Sequence, residues 1–94
     1  MLAGLTTTQQ TLGAAQQYST GSESQQFPTD GLMGMGYPAI SSYGALPVFN
    51  TFVSQGQTDA GVFGFKLTSS GAELTIGSVG QSAVSGDFTY APVT

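Results

Sequence analysis

Pro28, Gly31, Gly34, Gly36 and Pro38 fall within one short stretch, and no ordinary α-helix tolerates that spacing. Each Pro removes a backbone donor and clashes with the preceding turn, and each interior Gly costs a helix about 0.5–1 kcal/mol relative to Ala. The pattern for a helix occurs further on, at Leu46 to Gln55. There Pro47 suits a first turn, where a missing N–H costs nothing. Val48, Phe49, Phe52 and Val53 fall at i, i+1, i+4 and i+5 and make one apolar face. Gly56 is placed to end the helix in a left-handed cap.

The remainder reads as β. Val62–Leu67, Glu73–Ile76 and Asp87–Pro92 are separated by Ser/Gly turns. Phe88 and Tyr90 alternate with polar residues, so one face of that last segment packs and the other is wet. Upstream, Leu2–Leu5 and Thr11–Tyr18 read as two further strands joined by the polar Thr6–Gln10, and Ser19 to Gln26 is a polar loop. The expectation is a mainly β chain with one short α-helix among about five or six strands, forming one small domain or part of one.

Composition narrows the function. Charged residues are only 6% of the 94, but 39% are hydrophobic, including six Phe and four Tyr. Disordered segments pair low hydrophobicity with high net charge, and this chain does neither. Lys66 is the one cation in a chain of formal net charge −4. Nucleic-acid binding needs Lys and Arg to displace phosphate counterions, so that class is excluded as a partner. No apolar run approaches the ~20 residues of a membrane span, so no membrane partner is expected. Met1-Leu2-Ala3-Gly4 lacks the basic and apolar regions of a signal peptide. Without Cys or His there is neither disulfide nor thiolate site, and Glu23, Glu73 and Asp87 are too scattered for a metal. No cofactor is expected.

Three segments carry a resemblance. FPTDGLMGMGYPAIS (Phe27–Ser41), ALPVFNTFVSQG (Ala45–Gly56) and GAELTIGSVGQSAVSGDFTYAPVT (Gly71–Thr94) are similar, in order and at about the same spacing, to stretches of the pepsin-like aspartic proteases. LAGLTTTQQTLGAAQQ resembles more loosely the strands after that family's flap hairpin. The resemblance is nearest to the fungal-type members. It implies a bilobal β fold in which each lobe gives one Asp to a central cleft. Residues 1–94 would then be a partial domain, the second half of the amino-terminal lobe, starting after the flap and ending where the lobes join.

Such enzymes hold two carboxylates close enough to share a proton, one activating a water and the other polarising the scissile carbonyl. Each sits in an Asp-Thr-Gly or Asp-Ser-Gly turn. Here Asp30 is followed by Gly31-Leu32, Asp59 by Ala60-Gly61 and Asp87 by Phe88, so no residue matches a catalytic Asp. The flap Tyr has no match either; Tyr43-Gly44-Ala45 departs from its motif and comes too late, and Tyr43 reads as a surface loop residue.

What the resemblance does carry over is structural and substrate-facing. Asp30 matches a non-catalytic Asp that would bond the local backbone in an Asx turn, and Gly31 follows it in the motif. Gly34 matches a glycine that permits close backbone approach beside the catalytic turn, or else ends an ordinary buried strand. Thr29 and Leu32 match positions lining the pocket for the residue before the cut; for Leu32, core packing is the equal alternative. Met33, one residue on, would face the lobe interior. The resemblance thus implies an aspartic endopeptidase of secreted or vacuolar type, acting on peptide or protein substrate together with the remainder of the protease fold, while the chain alone is silent. A non-enzymatic β-rich module binding a partner through a sheet edge is the alternative from another class.

Overall fold

The helix α1 forms at Val48–Ser54, inside the predicted window, because its ends are satisfied by what flanks them. Pro47 holds the position before the first helical residue, with φ −59° and ψ 154°. Its carbonyl accepts the Thr51 N–H at 3.0 Å and the Thr51 hydroxyl at 3.2 Å. At the other end Gly56 adopts φ +70°. The Gly56 N–H donates to the Val53 carbonyl at 3.1 Å and the Gln57 N–H to the Phe52 carbonyl at 2.8 Å. This paired arrangement is a Schellman cap, and it serves carbonyls that the last turn would otherwise leave open.

Phe49, Thr51 and Phe52 are buried, Phe52 to 1% exposure. The predicted stripe needs one correction: Val53 is 44% exposed, and Thr51 takes its place on the buried face. Each residue turns about 100° around the axis, so Val53 and Thr51 flank Phe52 on opposite sides and the helix cannot bury both fully. Thr51 can go inward because its hydroxyl already donates to Pro47, so its burial leaves no unmet polar group.

The computed structural model describes residues 1–17, 29–80 and 84–94; the predicted loop Ser19–Gln26, and Tyr18 at the end of a predicted strand, lie outside them. The chain divides into two units, Met1–Gln57 and Thr58–Thr94.

In the first unit the predicted strand Leu2–Leu5 is a tight turn. Leu2 and Leu5 exchange both backbone bonds at 2.8 Å, and Ala3 and Gly4 between them have φ of 53° and 78°. Two successive positive φ values reverse a chain, and no extended strand contains them. Residues 11–17, predicted as strand, are exposed and join no sheet. A strand exists only with a partner for its backbone groups, and among the described residues no segment lines up beside them. Among its described residues the Gly- and Pro-rich stretch contains one 3-10 turn, Pro38–Ile40, and no α-helix.

The second unit is built on an antiparallel hairpin, β1 (Phe63–Lys66) with β2 (Glu73–Ile76). Both lie where the sequence placed them. The register pairs Phe63 with Ile76, Phe65 with Leu74 and Lys66 with Glu73. Phe63 and Phe65 share a face and meet edge to face at 5.9 Å, the favourable geometry for ring quadrupoles. Setting Lys66 across from Glu73 puts opposite charges in register at the end of the ladder next to the connecting loop. The Gly77 N–H extends the ladder by one bond, to the Val62 carbonyl at 2.7 Å. Asp87–Pro92, predicted as a third strand, pairs with nothing among the described residues. Phe88 and Tyr90 tilt toward each other at 6.3 Å, with Tyr90 87% exposed. Among the described residues there are one two-stranded sheet and one α-helix, consistent with the predicted mainly β fragment with one short helix, but with two strands in place of about five or six.

Because Phe52 is the most deeply buried side chain, Phe52→Ala should destabilise by about 3–5 kcal/mol. Val53→Ala should cost well under half of that. Gly56→Ala, forced into a left-handed backbone, should cost about 1–2 kcal/mol. Urea denaturation followed by circular dichroism reads all three, and equal losses for Phe52 and Val53 would contradict the buried face described here.

Candidate functional site

The stretch Thr29–Gly34 follows from its residues. Thr29 and Asp30 form a bend, and residues 31–34 belong to no helix or strand. All six residues are exposed. Leu32 is the extreme, at 88%, against 52% for Met33. Both side chains are open to solvent. An added Cβ at Gly31 or Gly34 would meet nothing within 4 Å. The Asp30 carboxylate makes no hydrogen bond to the described residues.

The structure brings Thr29, Asp30, Gly31, Leu32 and Gly34 together only as neighbours along the chain. Among the described residues of their unit, Asp30 is the one acid. Asp59 lies in the second unit on a bend of its own, and Glu73 is committed to the hairpin register opposite Lys66. Among the described residues no group of three or more acidic, His or Cys side chains is placed to hold a metal. No helix among them is long and apolar enough to cross a membrane. What the segment offers is an accessible run of small and apolar groups with one carboxylate, Asp30, among them. Tyr43 is 70% exposed, in keeping with a surface loop. Its hydroxyl lies over Gly13, where any Cβ would collide with it.

Sequence reasoning passed over a set of residues that the structure puts to use. Gln10, Gln55 and Gln57 bond main-chain groups far away in sequence. The only trace in the sequence is an abundance of Gln, which has no periodicity to mark which members are used.

The family described as "Eukaryotic aspartyl protease" matches this chain over residues 1–94. An "Aspartic protease" of Phaffia rhodozyma is 34% identical over 92 residues, covering 98% of this chain and 22% of its own length. "Cathepsin D" of Clupea harengus is 43% identical over 70 residues, covering 69% of this chain and 18% of its own length. "Pepsin A" of Bos taurus is 34% identical over 96 residues, covering 99% of this chain and 26% of its own length. The chain thus spans roughly a fifth to a quarter of the length of these curated relatives. Motif order, a helix and hairpin at the motif positions, and a match along the whole chain agree: the chain belongs to the pepsin-like eukaryotic aspartyl protease family.

Proposed function

We propose that this chain is the second half of the amino-terminal lobe of an aspartic endopeptidase, supplying wall and packing to a peptide-binding cleft and neither of its acids. The observation that carries this reading is the sequence itself: family motifs run along the chain, yet no Asp stands in an Asp-Thr-Gly or Asp-Ser-Gly turn. Hydrolysis of a peptide bond needs a carboxylate pair, one ionised and one protonated. That pair belongs to the remainder of the protease fold, which is the partner this segment requires. The substrate is a peptide or protein. Relatives named Pepsin A and Cathepsin D support that class, and a secreted or vacuolar compartment goes with it.

Within the cleft, Thr29 and Leu32 line the pocket for the residue before the cut. The support is the FPTDGLMG motif and the exposure of Leu32, whose apolar side chain stands free to be covered by another apolar group. Asp30, Gly31 and Gly34 shape the backbone around that position. Met33 points to the opposite side and serves packing within the completed lobe.

Two outcomes are expected. The purified 94-residue chain should not cleave denatured haemoglobin at acid pH, and pepstatin-sensitive turnover by that chain would sink the proposal. In the complete enzyme, Leu32→Ala should lower kcat/KM selectively for substrates with Leu or Phe before the cut. A lost apolar contact of this kind is worth about 1–3 kcal/mol, so the ratio of Phe to Ala turnover should fall by about 10–200-fold. An unchanged ratio in a folded, active enzyme removes Leu32 from the pocket.

A further inference from the structure

Residues Thr6 to Gln10 run between attachments just beyond the C-terminal end of α1 and one at Leu46, ahead of its first turn, without any backbone ladder to hold them. Their attachments are side-chain amides. Gln55 makes a two-point contact with Thr8: its Oε1 accepts the Thr8 N–H at 3.0 Å, and its Nε2 donates to the Thr8 carbonyl at 3.0 Å. One primary amide so occupies both main-chain groups of one residue, as a neighbouring strand would. Gln57 Oε1 accepts the Thr6 N–H at 3.3 Å, and Gln10 Nε2 donates to the Leu46 carbonyl at 3.0 Å.

Three further observations concern what opposes this attachment. Gln9, between two of the anchors, has φ +58°, a left-handed conformation that a residue with a Cβ adopts only at a cost. Gln10 Oε1 is buried with no hydrogen-bond partner, a penalty that water would remove on opening. Behind the segment lies a recess of about 250 Å³ lined by Thr8, Gln10, Leu46, Thr51 and Gln55 among others. Amide bonds across a recess, not close apolar packing, hold the segment in place.

We propose that Thr6–Gln10 is a strap and Gln55 its latch: the strap opens as a unit, on release of the Gln55–Thr8 contact, while α1 stays folded. Opening relieves the backbone at Gln9, hydrates Gln10 Oε1 and frees the main chain of Thr8 to pair elsewhere. The geometry at the cap makes the helix independent of the latch. The Gln55 and Gln57 backbone amides donate to the Thr51 and Phe52 carbonyls, and neither bond involves the strap.

Hydrogen exchange of individual backbone amides in the intact protein tests this, with Gln55→Met as the first variant, since Met keeps the length and loses both bonds. The Thr8 amide should lose about tenfold in protection, the equivalent of one net hydrogen bond. Thr6 should lose protection with it, although its own partner Gln57 is untouched, and the amides of Gln55 and Gln57 should not change. Unchanged Thr8 protection overturns the latch. A loss at Thr8 alone overturns the strap, and equal loss in α1 means that Gln55 acts through the helix. A second variant, Gln55→Glu, covers the case in which Gln55→Met does not fold. Its carboxyl can donate to the Thr8 carbonyl only when protonated, below about pH 4.3 for an ordinary Glu. Thr6 and Thr8 protection factors should then be near those of the parent in acid and fall as the pH rises through that value. Protection in Gln55→Glu that does not vary with pH counts against the latch.

Discussion

Every backbone N–H and C=O taken from water needs a partner, and in this chain partners are scarce. Among the described residues the only regular ladder is the four-pair hairpin of β1 and β2. Elsewhere the chain improvises. The helix closes its ends with a Pro carbonyl and a Schellman cap, the opening residues fold back on themselves at Leu2 and Leu5, and glutamine amides stand in for a neighbouring strand at Thr8. A primary amide is suited to that substitution, because it carries the same donor and acceptor as a peptide group at nearly the same spacing.

The scarcity also accounts for the amount of exposed apolar surface. Leu12, Leu32, Ile40, Leu67, Tyr90 and Val93 are each more than three-quarters exposed, and among the described residues only Phe49 and Phe52 form a buried apolar core. Burial of a large apolar side chain stabilises by about 1.5–3 kcal/mol, so two such residues in the helix anchor their surroundings but cannot organise 94. The helix and hairpin are where local satisfaction suffices. The segment Thr29–Gly34 lies outside both and is exposed along its whole length.

Membership of the aspartyl protease family therefore carries different weight at different levels. It accounts for why a Gly- and Pro-punctuated ridge precedes a short helix and a hairpin in this order. Among the described acids, Asp30 and Asp59 lie on bends, Glu73 on a strand and Asp87 beyond the hairpin, and none stands in an Asp-Thr-Gly or Asp-Ser-Gly turn.

The sequence by itself determined the helix, the hairpin and the absence of catalytic turns. Pro47, the Phe49/Phe52 spacing and Gly56 act within a few residues of each other, and β1 and β2 lie close enough along the chain to find each other across a short Ser/Gly loop. The identity of Thr29, Asp30, Gly31, Leu32 and Gly34 as a motif was equally legible, since it depends on residue order alone. Tertiary structure decided the rest. Leu2–Leu5 became a turn, and residues 11–17 and Asp87–Pro92 stayed unpaired, because pairing depends on what lies alongside and not on the propensity of the segment. Thr51 displaced Val53 inward because Pro47 satisfies its hydroxyl. The amides of Gln55 and Gln10 found main-chain partners 47 and 36 residues away. No period or spacing in the chain encodes such contacts, since they exist only once the fold has brought the two segments together.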